Sequence, residues 1–207
     1  MLKPAHNEII INKSRFVGYA SPAQTEEEAL GFIEKVKKMN FDATHNVYAY
    51  IIGDNNIQRF TDDGEPSGTA GKPVLEEIKR EGLINAVVVV TRYFGGIKLG
   101  AGGLIRAYRK SAEEVIEAAG ISEKVPFCRY ELTIDYPFWG KIQNEINNMR
   151  QVIGNIDYAD RVRIEVFVDT KKEKEFREKI LNITNGRVNF LKGKDLYLTR
   201  YRGRIFV

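Results

Sequence analysis

Hydrophobic and polar positions change period several times along this chain, and each change marks an element. From Glu8 to Ser21, "EIIINKSRFVGYAS" is dense in β-branched and aromatic residues and reads as a strand. Thr25 opens "TEEEALGFIEKVKKMN", where Thr25 and Glu28 have the spacing of a capping box ahead of a helical apolar period. "THNVYAYII" alternates like a half-buried strand, "GDNN" supplies turn residues and "IQRFT" returns, which predicts a hairpin. "KPVLEEIKRE" predicts a helix with Pro73 in its first turn, where the missing N–H breaks no intrahelical bond. The four consecutive valines of "NAVVVVTRYF" fit a strand covered on both faces. After "GGIKLGAGG" a long helix is expected from Gly103, ended by Gly120.

A short polar stretch, "ISEKVP", precedes a second pattern: strand "FCRYELTID", helix "PFWGKIQNEINNMR", strands "QVIGNIDYA" and "RVRIEVFVD", helix "KKEKEFREKILNIT", then strand material from Arg187 onward. That order, βαββαβ, is the ferredoxin-like arrangement. The chain therefore reads as α+β with two domains, 1–122 and 126–207.

Composition changes this picture little. With 43% hydrophobic and 29% charged residues it is ordinary for a globular protein, and no apolar run is long enough to span a bilayer. The N-terminus lacks the features of a secretory signal, and Cys128 is the only cysteine, so a soluble, cytoplasmic protein with no membrane partner is expected. Charge adds more through its distribution. Residues 1–125 hold 16 basic and 17 acidic residues, and 126–207 hold 16 and 11, so the net +4 divides into −1 and +5. The excess leans toward anionic partners.

The loops carry the candidate chemistry. "GEPSGTAGKP" is not a phosphate-binding P-loop, because Pro66 occupies the required first glycine and Pro73 replaces the metal-binding Ser or Thr. "GAGGLI" fails as a dinucleotide fingerprint at Ile105. Asp62, Asp63 and Glu65 offer carboxylates for a hard cation, while acids in a turn also serve as caps. His6 and His45 have no cysteine neighbours for a zinc site, and His45 at a strand start suits a structural hydrogen bond. No nucleophile, base and orienting acid form a recognisable set, so neither a catalyst nor a cofactor is assigned.

The segment 91–110 carries Arg92, Lys98, Arg106, Arg109 and Lys110 with no acid among them. Arg106, Arg109 and Lys110 share one helical face, and glycines let backbone N–H groups approach an anion at the helix start. The same residues also fit a tight connection beside a solvated face. A second basic stretch, "GRVNFLKGKDLYLTRYRGRIFV", interleaves six cations with Phe190, Tyr197, Tyr201 and Phe206. That suits a nucleic-acid surface, and equally a strand whose aromatics turn into the core.

"TDDGEPSGTAGKPVLEEI" followed by "VVVVTRYFGGIKLGAGGLIRAY", with "KSRFVGYA" and "ATHNVYAYII" ahead of them in the right order, resembles the YigZ/IMPACT family. The resemblance implies an N-terminal domain like the fourth domain of elongation factor G, in the fold of the second domain of a small-subunit ribosomal protein. It also implies a C-terminal ferredoxin-like domain similar to that factor's fifth. Its signature residues fall on Asp62, Asp63, Gly64, Glu65, Pro66 and Gly68, and on Arg92, Tyr93, Gly95, Gly96 and Gly100. Eukaryotic members act as translation regulators through protein partners, using an extra N-terminal module that this sequence does not show. The expectation is a non-enzymatic, translation-associated protein that binds RNA or the ribosome through Lys72, Arg92, Lys98, Arg106, Arg109 and Lys110, with a protein partner as a further possibility. The alternative is a metal-dependent enzyme acting on a phosphorylated or peptide-like substrate through Asp62, Asp63 and Glu65.

Overall fold

A computed structural model describes residues 1–53 and 57–206. The chain divides into two compact units, Met1–Ser122 and Glu123–Val207.

The first unit does not begin with one strand. Ala5–Ile11 (β1) and Ser14–Pro22 (β2) form an antiparallel hairpin, so the single strand expected over residues 8–21 is corrected to two. Asn12 and Lys13 turn the chain with φ of 46° and 65°. Both are left-handed, as a two-residue hairpin matched to strand twist requires, but without the glycine that would have announced it.

Glu26–Met39 (α1) has the expected start: the Glu28 amide donates to Thr25 Oγ1 at 3.1 Å, and Glu28 Oε2 reaches back to the Gln24 amide at 2.7 Å. His45–Ile52 (β3) and Ile57–Thr61 (β4) pair antiparallel, as expected of the second hairpin. Of the turn expected at "GDNN", Gly53 is described and residues 54–56 lie outside the described residues. Gly71–Arg80 (α2) has Pro73 in its first turn, and Ala86–Tyr93 (β5) follows. The last helix of the unit, Gly100–Ala119 (α3), starts three residues before the expected Gly103 and ends at Gly120.

The sheet order is β1-β2-β5-β3-β4, which makes β5 the central strand. Its valines alternate between two cores. Val88 and Val90 pack with Val74, Ile78, Leu104 and Tyr108 beneath α2 and α3, while Val87 and Val89 pack with Ala29, Ile33 and Val36 of α1. Both faces of this antiparallel sheet are thus covered, and the run of valines has no polar face because neither side meets water.

The second unit runs Glu123–Ile134 (β6), Tyr136–Asn148 (α4), Val152–Tyr158 (β7), Val162–Asp169 (β8), Glu173–Thr184 (α5), Asn189–Tyr201 (β9) and Arg204–Phe206 (β10). The order β10-β9-β6-β8-β7, all antiparallel, is the ferredoxin-like sheet with a short strand added at one edge. Glu123–Pro126, which read as part of a polar connection, belong to β6. Phe176 and Ile180 of α5 and Ile142 and Ile146 of α4 pack on Tyr130, Leu132, Ile164 and Val166.

Candidate functional site

Strand register assembles the site. Arg92, near the end of β5, lies between Phe16 on β2 and His45 on β3. It follows Val88 and Val90 onto the face covered by α3, because alternate strand residues share a face. Arg92 is 5% exposed, and its Nη1 donates to Glu65 Oε1 at 2.6 Å. The same oxygen accepts from the Tyr108 hydroxyl at 2.8 Å and lies 3.8 Å from His45 Nε2. Nη2 of Arg92 donates to Ser14 Oγ at 3.3 Å. Residues from five separate segments thus meet around one buried carboxylate at one end of the sheet. Burial and the adjacent Glu65 push the Tyr108 hydroxyl far above the ordinary tyrosine range, so it stays a donor.

The loop that presents Glu65 is held by its own acids. Asp62 Oδ1 accepts from the amides of Ala70 at 3.1 Å and Gly71 at 2.8 Å, and Oδ2 accepts from Gly68 at 2.8 Å. Asp62 therefore caps α2 from a distance, supplying what its N-cap residue, Ala70, lacks. Asp63 accepts from the Asn46 amide at 2.6 Å, and its carbonyl accepts from His45 Nδ1 at 2.7 Å. Gly71 passes so close to Thr61 that a β-carbon would overlap the Thr61 carbonyl.

These partners correct the metal-centre alternative. Asp62 faces amides at the start of α2, Asp63 faces β3 and Glu65 faces Arg92, so the acids that adjoin in sequence do not converge on one ligand position. Among the described residues no cluster of His, Cys, Asp and Glu fits a metal ion.

The second signature stretch wraps the same end. The Gly95 amide donates to Ser14 Oγ at 3.2 Å, and a β-carbon on Gly95 would overlap the Lys13 carbonyl. Tyr93 turns to the opposite face, where its hydroxyl donates to Asn40 Oδ1 at 3.0 Å and the Arg15 guanidinium stacks 4.1 Å from its ring centre. Between the Glu65 loop and the first turn of α3 lies a cleft of about 360 Å³, lined by Glu65, Arg92, Phe94, Lys98, Ala101 and Leu104 among others. A neighbouring cleft of about 310 Å³ is bordered by Asn12, Leu99, Arg106 and Lys110.

The expected cations separate into three groups. Arg92 is internal, and its charge is matched by Glu65, so the expectation that it offers a free charge at the surface is corrected. Lys110 is exposed but pairs with Glu113 and Glu114 at 3.2 and 3.4 Å. Lys72, Lys98, Arg106 and Arg109 are exposed, with no carboxylate partner among the described residues. Lys98 lines the first cleft and Arg106 the second, whereas Lys72 and Arg109 line neither. Arg106 folds toward the start of its own helix, with Nη1 3.6 Å from the β-carbon position of Gly102. Ser14, Tyr108 and Phe94 escaped the sequence reading. Each is an ordinary residue in its own segment, and only the register unites them.

In the second unit the basic stretch is neutralised in part, two of its six cations meeting carboxylates and two lying over aromatic rings. Lys192 pairs with Glu173 and Arg200 with Glu123, at 2.8 and 2.7 Å, and Arg187 and Arg202 sit over the rings of Phe138 and Tyr201. The aromatics divide: Phe190 packs on the core, and Tyr197 is 69% exposed. Cys128 is buried, with its thiol pushed up to about 12 by burial and by hydrogen bonds to Glu173 and Asp195, so it is no nucleophile.

Comparison with known proteins bears on both units. Residues 12–116 match the Impact N-terminal domain, and residues 132–187 match DUF1949, a domain of unknown function. The chain is 46% identical over 195 residues to the IMPACT family member YvyE of Bacillus subtilis, covering 94% of this chain and 90% of that protein. It is 34% identical over 184 residues to the IMPACT family member YigZ of Escherichia coli, covering 87% and 90%. A crystal structure described as a hypothetical protein superimposes with a TM-score of 0.58 at 32% identity, over 93% of this chain and 95% of that one. The Glu65 loop, the Arg92 strand end and the glycine-rich start of α3 all lie within the matched N-terminal domain, and the chain belongs to the IMPACT family.

Proposed function

We propose that this protein is a non-enzymatic, translation-associated regulator that binds RNA or the ribosome through the surface around the start of α3. The observation that carries the reading is a division of charge. Arg92 is internally neutralised, while Lys98 and Arg106 flank an uncapped helix N-terminus with no carboxylate partners among the described residues. Cations beside free backbone amides favour a polyanion, whose phosphates gain both charge and hydrogen bonds there. Membership of the IMPACT family supports a role connected with translation, and a cytoplasmic location accords with that role. No described helix is long and apolar enough to cross a membrane.

The test is binding of the purified protein to ribosomal subunits and to structured RNA at two salt concentrations. Saturable binding that weakens steeply with salt is expected, with Lys98→Glu plus Arg106→Glu lowering affinity by about tenfold or more. Binding unchanged by salt and by the double reversal would count against this surface.

A further inference from the structure

α3 presents its first turn to the cleft of about 360 Å³, and no side chain among the described residues caps it. The first amides of a helix lack intrahelical acceptors and carry the positive end of its dipole, which makes them anion ligands. A second, independent feature adjoins the same cleft. Arg92 lines it, is 5% exposed, and its buried Nε–H has no acceptor among the described residues, although both of its terminal nitrogens are engaged. A buried cationic donor without an acceptor is unfavourable, and a ligand oxygen would satisfy it. The carboxylate of Glu65 also lines the cleft, but its charge is matched by Arg92, and Tyr108 donates to the same oxygen.

The remaining walls narrow the ligand class. Lys98 brings an exposed ammonium without a carboxylate partner. Helix amides, Lys98 and Arg92 offer donors from three elements, which suits a tetrahedral group with several oxygens better than a planar carboxylate. At the rim Phe94 is 47% exposed, and the Arg92 guanidinium lies 5.4 Å from its ring centre. An open aromatic face beside an anion site is what a nucleobase stacks on.

We infer that this cleft holds a single phosphate group of an RNA chain, with the α3 amides and Lys98 on its oxygens, Arg92 Nε–H as the inner donor and Phe94 under the adjacent base. The inference rests on the RNA-binding reading above and assigns that reading its anchoring contact.

The test is a titration of ¹⁵N-labelled protein, followed at the amides of residues 100–103 and at Arg92 Nε–H, with inorganic phosphate, 5′-AMP and a short single-stranded oligoribonucleotide. All three probes should move these signals, with the oligonucleotide tightest and phosphate weakest. Lys98→Ala should weaken each by about fivefold or more, and Ala101→Glu, which sets a carboxylate at the same helix start, should abolish the shifts. Both positions are exposed, so neither substitution threatens the fold. Phe94→Ala should bring the AMP affinity down to that of phosphate. Signals that stay still with every probe would overturn the inference, and AMP binding as tightly as the oligonucleotide would reassign the cleft to a free nucleotide. RNA binding that survives both Lys98→Ala and Ala101→Glu would remove this cleft and leave the broader reading standing. Wild-type protein that binds no RNA at all would remove both.

Discussion

Arg92 and Glu65 are each taken out of water, which costs several kcal/mol per ion unless the partner and further hydrogen bonds compensate. Here the compensation is dense: a 2.6 Å contact, the Tyr108 hydroxyl, Ser14 Oγ and His45 nearby. Glu65→Gln should leave an uncompensated guanidinium and cost about 3 kcal/mol or more in urea denaturation. Arg92→Lys should also destabilise, because one ammonium cannot reproduce a fork that reaches Glu65 and Ser14 at once. The sequence placed Arg92 in a basic stretch, which suggested a surface charge. Its alternation with Val88 and Val90 was visible, but that α3 covers this face was not, and burial hangs on that cover. The acids of the loop were legible as caps. Which acid did which followed only from the register.

Among elements, the departures from expectation trace to local energies that tertiary packing overrides. Asn12–Lys13 lacks a hairpin glycine, yet both residues turn with positive φ because β1 and β2 bury alternate side chains against α3. Lys13→Gly should therefore stabilise the protein by about 0.5–1 kcal/mol, read as a shift in the urea midpoint at constant slope. Gly95→Ala should act in the opposite sense by about 2 kcal/mol or more, since its β-carbon meets the Lys13 carbonyl. Gly100 and Gly102 read as loop because glycine is a poor helix former, at about 1 kcal/mol each against alanine. Packing of Leu104, Ala107 and Tyr108 on the sheet outweighs that preference and draws the helix start back to Gly100. The capping box at Thr25 and the valine strand needed no such help, and both were legible from spacing.

For the whole molecule, the two units are charged differently and titrate differently. In the second, hydrogen bonds from Lys192, Tyr130 and Cys128 hold the Glu173 carboxyl down at about 2. A carboxyl lower in the folded than in the unfolded chain stabilises fully above the ordinary glutamate range, and that stability is lost as pH falls through about 2. Glu173→Gln should flatten this acid limb of the stability curve, measured by thermal melts between neutral and acid pH. The ferredoxin-like order was legible because each of its elements alternates or repeats with its own period. The pairing of the basic tail with Glu173 and Glu123 was not, since it joins residues far apart in sequence, and β10, a local hairpin with β9, lay unmarked within the last run of strand residues.

The strand order of the first unit also sets a timetable for a chain made from its N-terminus. β1–β2 and β3–β4 are local hairpins, available as soon as each is synthesised, but neither pairs with the other. β5 lies between them, and its last residue is Tyr93. Until that residue has left the ribosome, two hairpins wait with their inner edges open, and isolated hairpins are marginal in water. Nascent chains stalled before Tyr93 is exposed should thus be digested readily by protease, and those stalled after α3 is exposed should resist. On this strand order the sheet is expected to close from the middle, when β5 joins both waiting halves.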